Sequence, residues 1–197
     1  MRFLLLCCLV ATACAGEFSL AAIKDLAAKV TTFRLPFTQT KHLAIQDEPF
    51  TNTGAIEVDR GRQSVRWEFT GASVLILTKG KLRRWTMAGV EESLPGGGDP
   101  DKSAFAGQMQ GFLSGDWTAL ESAFTLAVDP GGAPLLICSP KSKDIAKFIV
   151  KIAIRWRSDL SAPERLEIES AGGDLTTYAF AAPEFGLALP ATRFTGP

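Results

Sequence analysis

Residues 55–69 alternate between apolar and polar side chains, and that alternation constrains the fold more than any other feature. Ile56 and Val58 alternate with Ala55, Glu57 and Asp59. After a turn at Arg60-Gly61-Arg62, Val65, Trp67 and Phe69 alternate with Arg66 and Glu68. A period of two places successive side chains on opposite faces of a strand, so this stretch predicts a hairpin with one apolar and one polar face. Such a hairpin is stable only within a larger sheet whose apolar face is covered.

The rest of the chain supplies that sheet. Phe37 to Ile45 reads as a first strand, Pro36 stopping any continuation of the helix before it. Val74–Thr78 and Leu82–Trp85 form a pair, and strands resume at Phe124–Val128 and Leu135–Cys138. Ile149–Trp156, Arg165–Ser170 and Leu175–Phe180 follow. In Ile149–Trp156, Val150, Ile152, Ile154 and Trp156 are predicted to face one way. Two helices interrupt the strands. Ser19 can cap one that runs to Val30, with Leu20, Ile23, Ala27 and Val30 on one face. The other runs over 102–113, with Phe105, Met109, Phe112 and Leu113 on one stripe. The absence of βαβ alternation argues against a parallel nucleotide-binding sheet. The expected class is mainly β (α+β), one domain over 16–197.

The first residues read as an export signal over 1–15: Arg2, an apolar run from Phe3 to Val10, then small residues. Ala13-Cys14-Ala15 fits ordinary cleavage, giving a protein that starts near Gly16. Ala11-Thr12-Ala13-Cys14 also reads as a weak lipobox, which would leave Cys14 lipidated. The first reading is favoured, because Ala11 stands where a lipobox has a large apolar residue. Removing Arg2 from 21 basic and 21 acidic residues leaves a formal net charge of −1. Nucleic-acid binding needs a basic excess, so no nucleic-acid partner is expected.

Catalytic chemistry finds few candidates. His42 is the sole histidine, so a His-rich metal site cannot form. No G-x-S-x-G elbow is present, and Gly96-Gly97-Gly98 is not followed by Gly-Lys-Ser/Thr. Cys138 reads as a buried small residue. The expectation is a non-enzyme with no catalytic residue, metal or cofactor. The basic residues Arg60, Arg62, Arg66, Lys79, Lys81, Arg83 and Arg84 read either as a solvated face or as a site for lipid phosphates or an acidic partner.

One ordered series adds to this. Phe37-Thr38-Gln39, Gly54, Arg60, Arg66-Trp67, then Phe112-Leu113-Ser114-Gly115-Asp116 and Gly173-Asp174-Leu175-Thr176 resemble the periplasmic outer-membrane lipoprotein carriers (LolA and its relatives), in a divergent branch. The resemblance implies an unclosed antiparallel β-barrel with a helical lid over its concave face. It implies a monomeric periplasmic carrier that binds acyl chains of lipoproteins or other envelope lipids, between an inner-membrane exporter and an outer-membrane acceptor. The alternative is an outer-membrane-anchored lipoprotein that acts as acceptor or accessory in lipid or glycolipid assembly. The expected cavity lining is Trp67, Phe69, Trp85, Phe105, Met109, Phe112, Ile152, Ile154, Trp156 and Tyr178, and Arg60 is the expected lid latch. Two family prolines are replaced here by Gly61 and by Gly71-Ala72.

Overall fold

The computed structural model describes residues 18–79, 81–92, 117–129 and 134–197. The expected export signal, Cys14 and the helix expected over 102–113 with Phe105, Met109 and Phe112 lie outside the described residues.

Twelve strands form one antiparallel sheet: β1 Thr32–His42, β2 Phe50–Asp59, β3 Ser64–Phe69, β4 Ser73–Thr78, β5 Lys81–Thr86, β6 Glu91–Glu92, β7 Phe124–Asp129, β8 Leu135–Pro140, β9 Ile149–Trp156, β10 Pro163–Ser170, β11 Leu175–Phe180 and β12 Glu184–Phe185. Their order is β6-β5-β4-β3-β2-β1-β11-β10-β9-β8-β7, with β12 also paired to β1. Strands β6 and β7 are the two edges, so the sheet is not closed among the described residues. Among the described residues three short helices accompany it: α1 Leu20–Lys29, α2 Trp117–Ala123 and α3 Lys143–Ala146. Ser19 caps α1 as its sequence predicts, its hydroxyl accepting from the Ala22 N–H at 3.2 Å.

The sheet is strongly curved. Strands β3 and β11 are separated by β2 and β1, a span of about 14 Å on a flat sheet. Yet the Trp67 and Tyr178 rings approach to 5.4 Å between centroids. The inner face carries the main core: Phe33, Leu35, Phe37, Ile56, Val58, Val65, Leu136, Ile152, Ile154, Trp156, Leu166, Tyr178 and Phe180, covered by Ile23 of α1 and by Trp117 and Leu120 of α2.

The outer face has its own small core. Val74, Ile76 and Trp85 pack with Phe194, which a 3-10 turn at Ala191–Phe194 brings onto β4 and β5. Charges fasten this C-terminal segment. The Arg193 guanidinium donates through Nε and Nη2 to the two carboxylate oxygens of Glu57, both at 2.9 Å. Arg66 Nη1 donates to the carbonyls of Arg193 (3.1 Å) and Gly196 (3.0 Å). Glu57 and Arg66 are buried, and buried charges persist only when paired and hydrogen-bonded.

Three local expectations are corrected. The first strand begins at Thr32 and passes through Pro36. Pro36 stands where the partner of β1 changes from β12 (Arg34↔Glu184) to β11 (Phe37↔Phe180). A proline without an N–H is tolerated at that gap, and its carbonyl accepts from the Ala181 N–H at 2.9 Å. Val150 is exposed and Ile149 buried instead, because the β9–β10 register shifts between Glu169 and Ser170. The inserted residue of a bulge leaves the alternation of its strand. Trp85, expected on the inner face, lies on the outer one.

Gly54 is fixed by contact. It pairs with Phe37 on one side and Phe69 on the other. A Cβ there would lie 2.0 Å from the Glu68 carbonyl oxygen and 2.6 Å from the Phe37 ring. Gly54→Ala is expected to cost about 3 kcal/mol or more, in the range of severe overpacking. Urea denaturation of the two proteins checks this, and a midpoint shift near zero would refute the steric argument.

Candidate functional site: the inner face of the sheet

Residues of β1 pointing inward recur at every second position: Phe33, Leu35, Phe37 and Gln39. Phe37 is the centre of an aromatic group. Its ring meets Trp67 at 6.1 Å, Phe69 at 5.4 Å and Tyr178 at 5.4 Å, all edge-on. Trp67 stacks on Phe69 at 6.1 Å, and Tyr178 on Phe180 at 6.2 Å. Edge-to-face and offset contacts of this kind are the favoured geometries of ring pairs. Trp67 and Phe69 are only half-buried.

One polar chain crosses this apolar surface. Asn52 Nδ2 donates to Gln39 Oε1 at 3.1 Å, and Gln39 Nε2 donates to the Tyr178 hydroxyl at 2.5 Å. The register explains it, since Gln39 lies opposite Asn52 on one side and Tyr178 on the other. Burial pushes the Tyr178 hydroxyl up from 10.0 to about 12, the bond from Gln39 offsetting part of this.

Helix α1 covers part of the face with a narrow attachment. Ile23 is its single buried residue, with Leu20, Ala27 and Val30 packed more loosely. Among the described residues two polar ties hold it. Lys24 pairs with Glu121 of α2 at 2.6 Å. Arg60, at the end of β2, donates through Nη1 to the carbonyls of Ala27 and, at 2.5 Å, Val30. Both carbonyls lie at the C-terminal end of α1, and that of Ala27 also accepts from the Val30 N–H at 3.3 Å. The guanidinium also lies over the Phe33 ring, 5.4 Å from its centroid. Burial lowers its pKa from the ordinary arginine value.

Of the expected lining, Trp67, Phe69, Ile152, Ile154, Trp156 and Tyr178 all lie in the inner-face core. Trp85 is elsewhere, stacked under Arg83 at 4.8 Å and covered by Phe194. The sequence reading left out Phe33, Leu35, Phe37, Gln39 and Phe180. The signal was there in the two-residue period of β1, hidden by starting that strand at Phe37. The basic residues do not form one cluster. Arg62 pairs with Asp59, Arg66 with Glu68, and Arg84 with Glu92. A cleft lined by Leu135, Ala153, Arg155, Arg165 and Glu167 belongs to the outer face.

Among the described residues no group of three or more His, Cys, Asp or Glu could hold a metal. Cys138 is buried beside Ile152, its thiol pushed up from 9.0 to about 12 by burial. No helix among the described residues is long and apolar enough to cross a membrane.

Among the described residues, six of the seven exposed large hydrophobic side chains sit at one end of the strands. Ile45 and Phe50 flank the β1–β2 turn, Met87 and Val90 the β5–β6 turn, and Phe148 and Val150 the start of β9. Hydrogen bonds link parts of this rim: the Ala44 N–H donates to Asp174 Oδ1 at 3.0 Å, and the Ala171 N–H to the Phe148 carbonyl at 3.1 Å.

No family model matches the sequence, and no curated protein matches it significantly. Similar solved structures include a LolA superfamily protein from Nitrosomonas europaea (TM-score 0.45, 10% identity, 89% of this chain and 96% of that one). They include a DUF1329 family protein from Desulfovibrio piger (0.46, 9%, 89% and 96%). Lipoprotein LppX of Mycobacterium tuberculosis is a third (0.45, 9%, 87% and 99%).

Two predictions follow from this geometry. Arg60→Leu should speed amide exchange in Leu20–Val30 at least tenfold while leaving β9–β11 protected; uniform change across the molecule would deny Arg60 a local role. Cys138, protonated and buried, should resist alkylation of the folded protein at pH 8. Because its folded pKa is raised, the stability it contributes is complete below the unfolded value and is lost as pH rises from about 9 toward 12. A denaturation series across that window should show falling stability, smaller in Cys138→Ala.

Proposed function

We propose that the protein is a periplasmic carrier that binds acyl chains of a lipoprotein or another envelope lipid against the inner face and moves them toward the outer membrane. The observation that supports this most is the mismatch between face and cover. A broad apolar surface with half-buried Trp67 and Phe69 meets, in α1, a helix with one buried side chain and two polar ties. Cargo would displace that cover. Ten buried methylenes contribute about 8 kcal/mol, against about 1.5–3 kcal/mol for each hydrogen bond of Arg60 given up. Arg60 is thus the latch in this reading, acting on α1. Trp67, Phe69, Tyr178, Ile152, Ile154 and Trp156 line the acyl site, with Phe105, Met109 and Phe112 the expected contribution of the 102–113 helix. An inner-membrane exporter and an outer-membrane acceptor are the proposed partners, and no chemical step or cofactor is required.

A second reading, an anchored acceptor or accessory lipidated at Cys14, draws on the apolar rim. Ile45, Phe50, Met87, Val90 and Phe148 would face the bilayer to which the chain is tethered.

Native mass spectrometry with lipid extraction, on protein exported to and purified from a bacterial periplasm, tests the first reading. A stoichiometric acyl-containing adduct is expected. Clean protein that also refuses added lipids and lipoproteins would sink it. The mass of the mature N-terminus decides between the readings: a free residue near Gly16 fits the carrier, and diacylglyceryl-Cys14 the anchored form.

A further inference from the structure

Tyr178 is the terminus of the polar chain that crosses the inner face, and it ends with a donor left over. Asn52 donates to Gln39, and Gln39 spends an N–H on the Tyr178 oxygen. A phenol both donates and accepts. Its oxygen is engaged here, while among the described residues no acceptor meets its proton. The residue is 6% exposed, its ring walled by Phe37, Trp67 and Phe180. A buried donor without an acceptor is costly, and one set in an otherwise apolar surface marks where a ligand oxygen fits.

We infer that Tyr178 donates a hydrogen bond to the carbonyl oxygen of an acyl ester or amide, so that the site recognises the acyl linkage as well as the hydrocarbon. This rests on the acyl-binding reading above. Gln39 is the positioning residue: by filling the lone pair of the phenol it turns the O–H away from β1 and toward the face. The chain stands close to the apolar rim, Gln39 and Asn52 being near the ends of β1 and β2 that lead to Ile45 and Phe50. A ligand with its linkage at Tyr178 could lay its hydrocarbon on the aromatic group and send its headgroup out past the rim. The raised pKa keeps the phenol protonated, hence a donor, at any physiological pH.

The test compares a short-chain diester phosphatidylcholine with its diether counterpart of equal chain length, both kept monomeric, by calorimetric titration of the mature protein. The ether lacks the carbonyl and keeps the hydrocarbon and headgroup. The expected result is diester binding about tenfold tighter than diether, the value of one well-placed hydrogen bond in a dry site. Tyr178→Phe should bind the two equally, at the diether affinity. Gln39→Met should reduce the preference severalfold, because the phenol is then free to turn, and it serves where Tyr178→Phe does not fold. Equal binding of diester and diether by the unmodified protein overturns the inference and leaves the carrier reading intact. A preference that survives in Tyr178→Phe also overturns it. Failure to bind either lipid also overturns the inference, and the carrier reading falls with it only if lipoproteins are refused as well.

Discussion

The contact of the Phe37 ring with Gly54 is the constraint on which the inner face depends. Gly54 has no side chain, so Phe37 can lie flat across the neighbouring strand and reach Trp67, Phe69 and Tyr178 at once. Any Cβ at 54 would push the ring off and separate β3 from β11. A glycine inside a strand normally weakens it. Here the loss is offset by an aromatic group that spans four strands and draws the sheet into a trough.

A sheet of this kind has two faces to cover, and the molecule covers them by different physics. Inside, large side chains pack with short helices laid over them. Outside, the apolar patch of Val74, Ile76 and Trp85 is small, and the C-terminal segment reaches it only because charges fix its path. Glu57 and Arg66 face each other across β2 and β3 on that side. Each is completed by the tail: Glu57 by the guanidinium of Arg193, Arg66 by two backbone carbonyls. The paired contact of the flat Arg193 guanidinium with both oxygens of Glu57 sets direction as well as distance. That suits a segment with one anchoring phenylalanine. The outer cover is therefore held in one place, whereas α1 on the inside has few attachments.

Much of this could be read from the chain. Alternation in 55–69 identified the hairpin and the two characters of its faces, and Ser19 identified the start of α1. The failures share a cause. Alternation tells which residues of one strand lie together, but not which side of the sheet is concave. Trp85 and Trp67 are both aromatic residues on alternating strands. The pairing Trp85↔Val74↔Glu68 puts Trp85 on the side of the charges, and Trp67↔Leu75 puts Trp67 on the other. The register was in principle countable through the hairpin turns, yet size and aromaticity suggested one lining. The start of β1 and the side taken by Val150 were missed for the opposite reason, since a gap between strand partners and a bulge are properties of neighbours far along the chain.

By itself, the sequence determined a two-faced antiparallel sheet, the positions of its turns and the short helix ahead of it, because these follow from local periodicity, capping and φ preferences. The tertiary structure decided which face is the trough, that Arg60 meets the end of α1, and that Gln39, Asn52 and Tyr178 form one polar chain. Those are contacts between residues up to 139 positions apart. They exist only once strand order and curvature are set, and no local pattern encodes the sign of a curve.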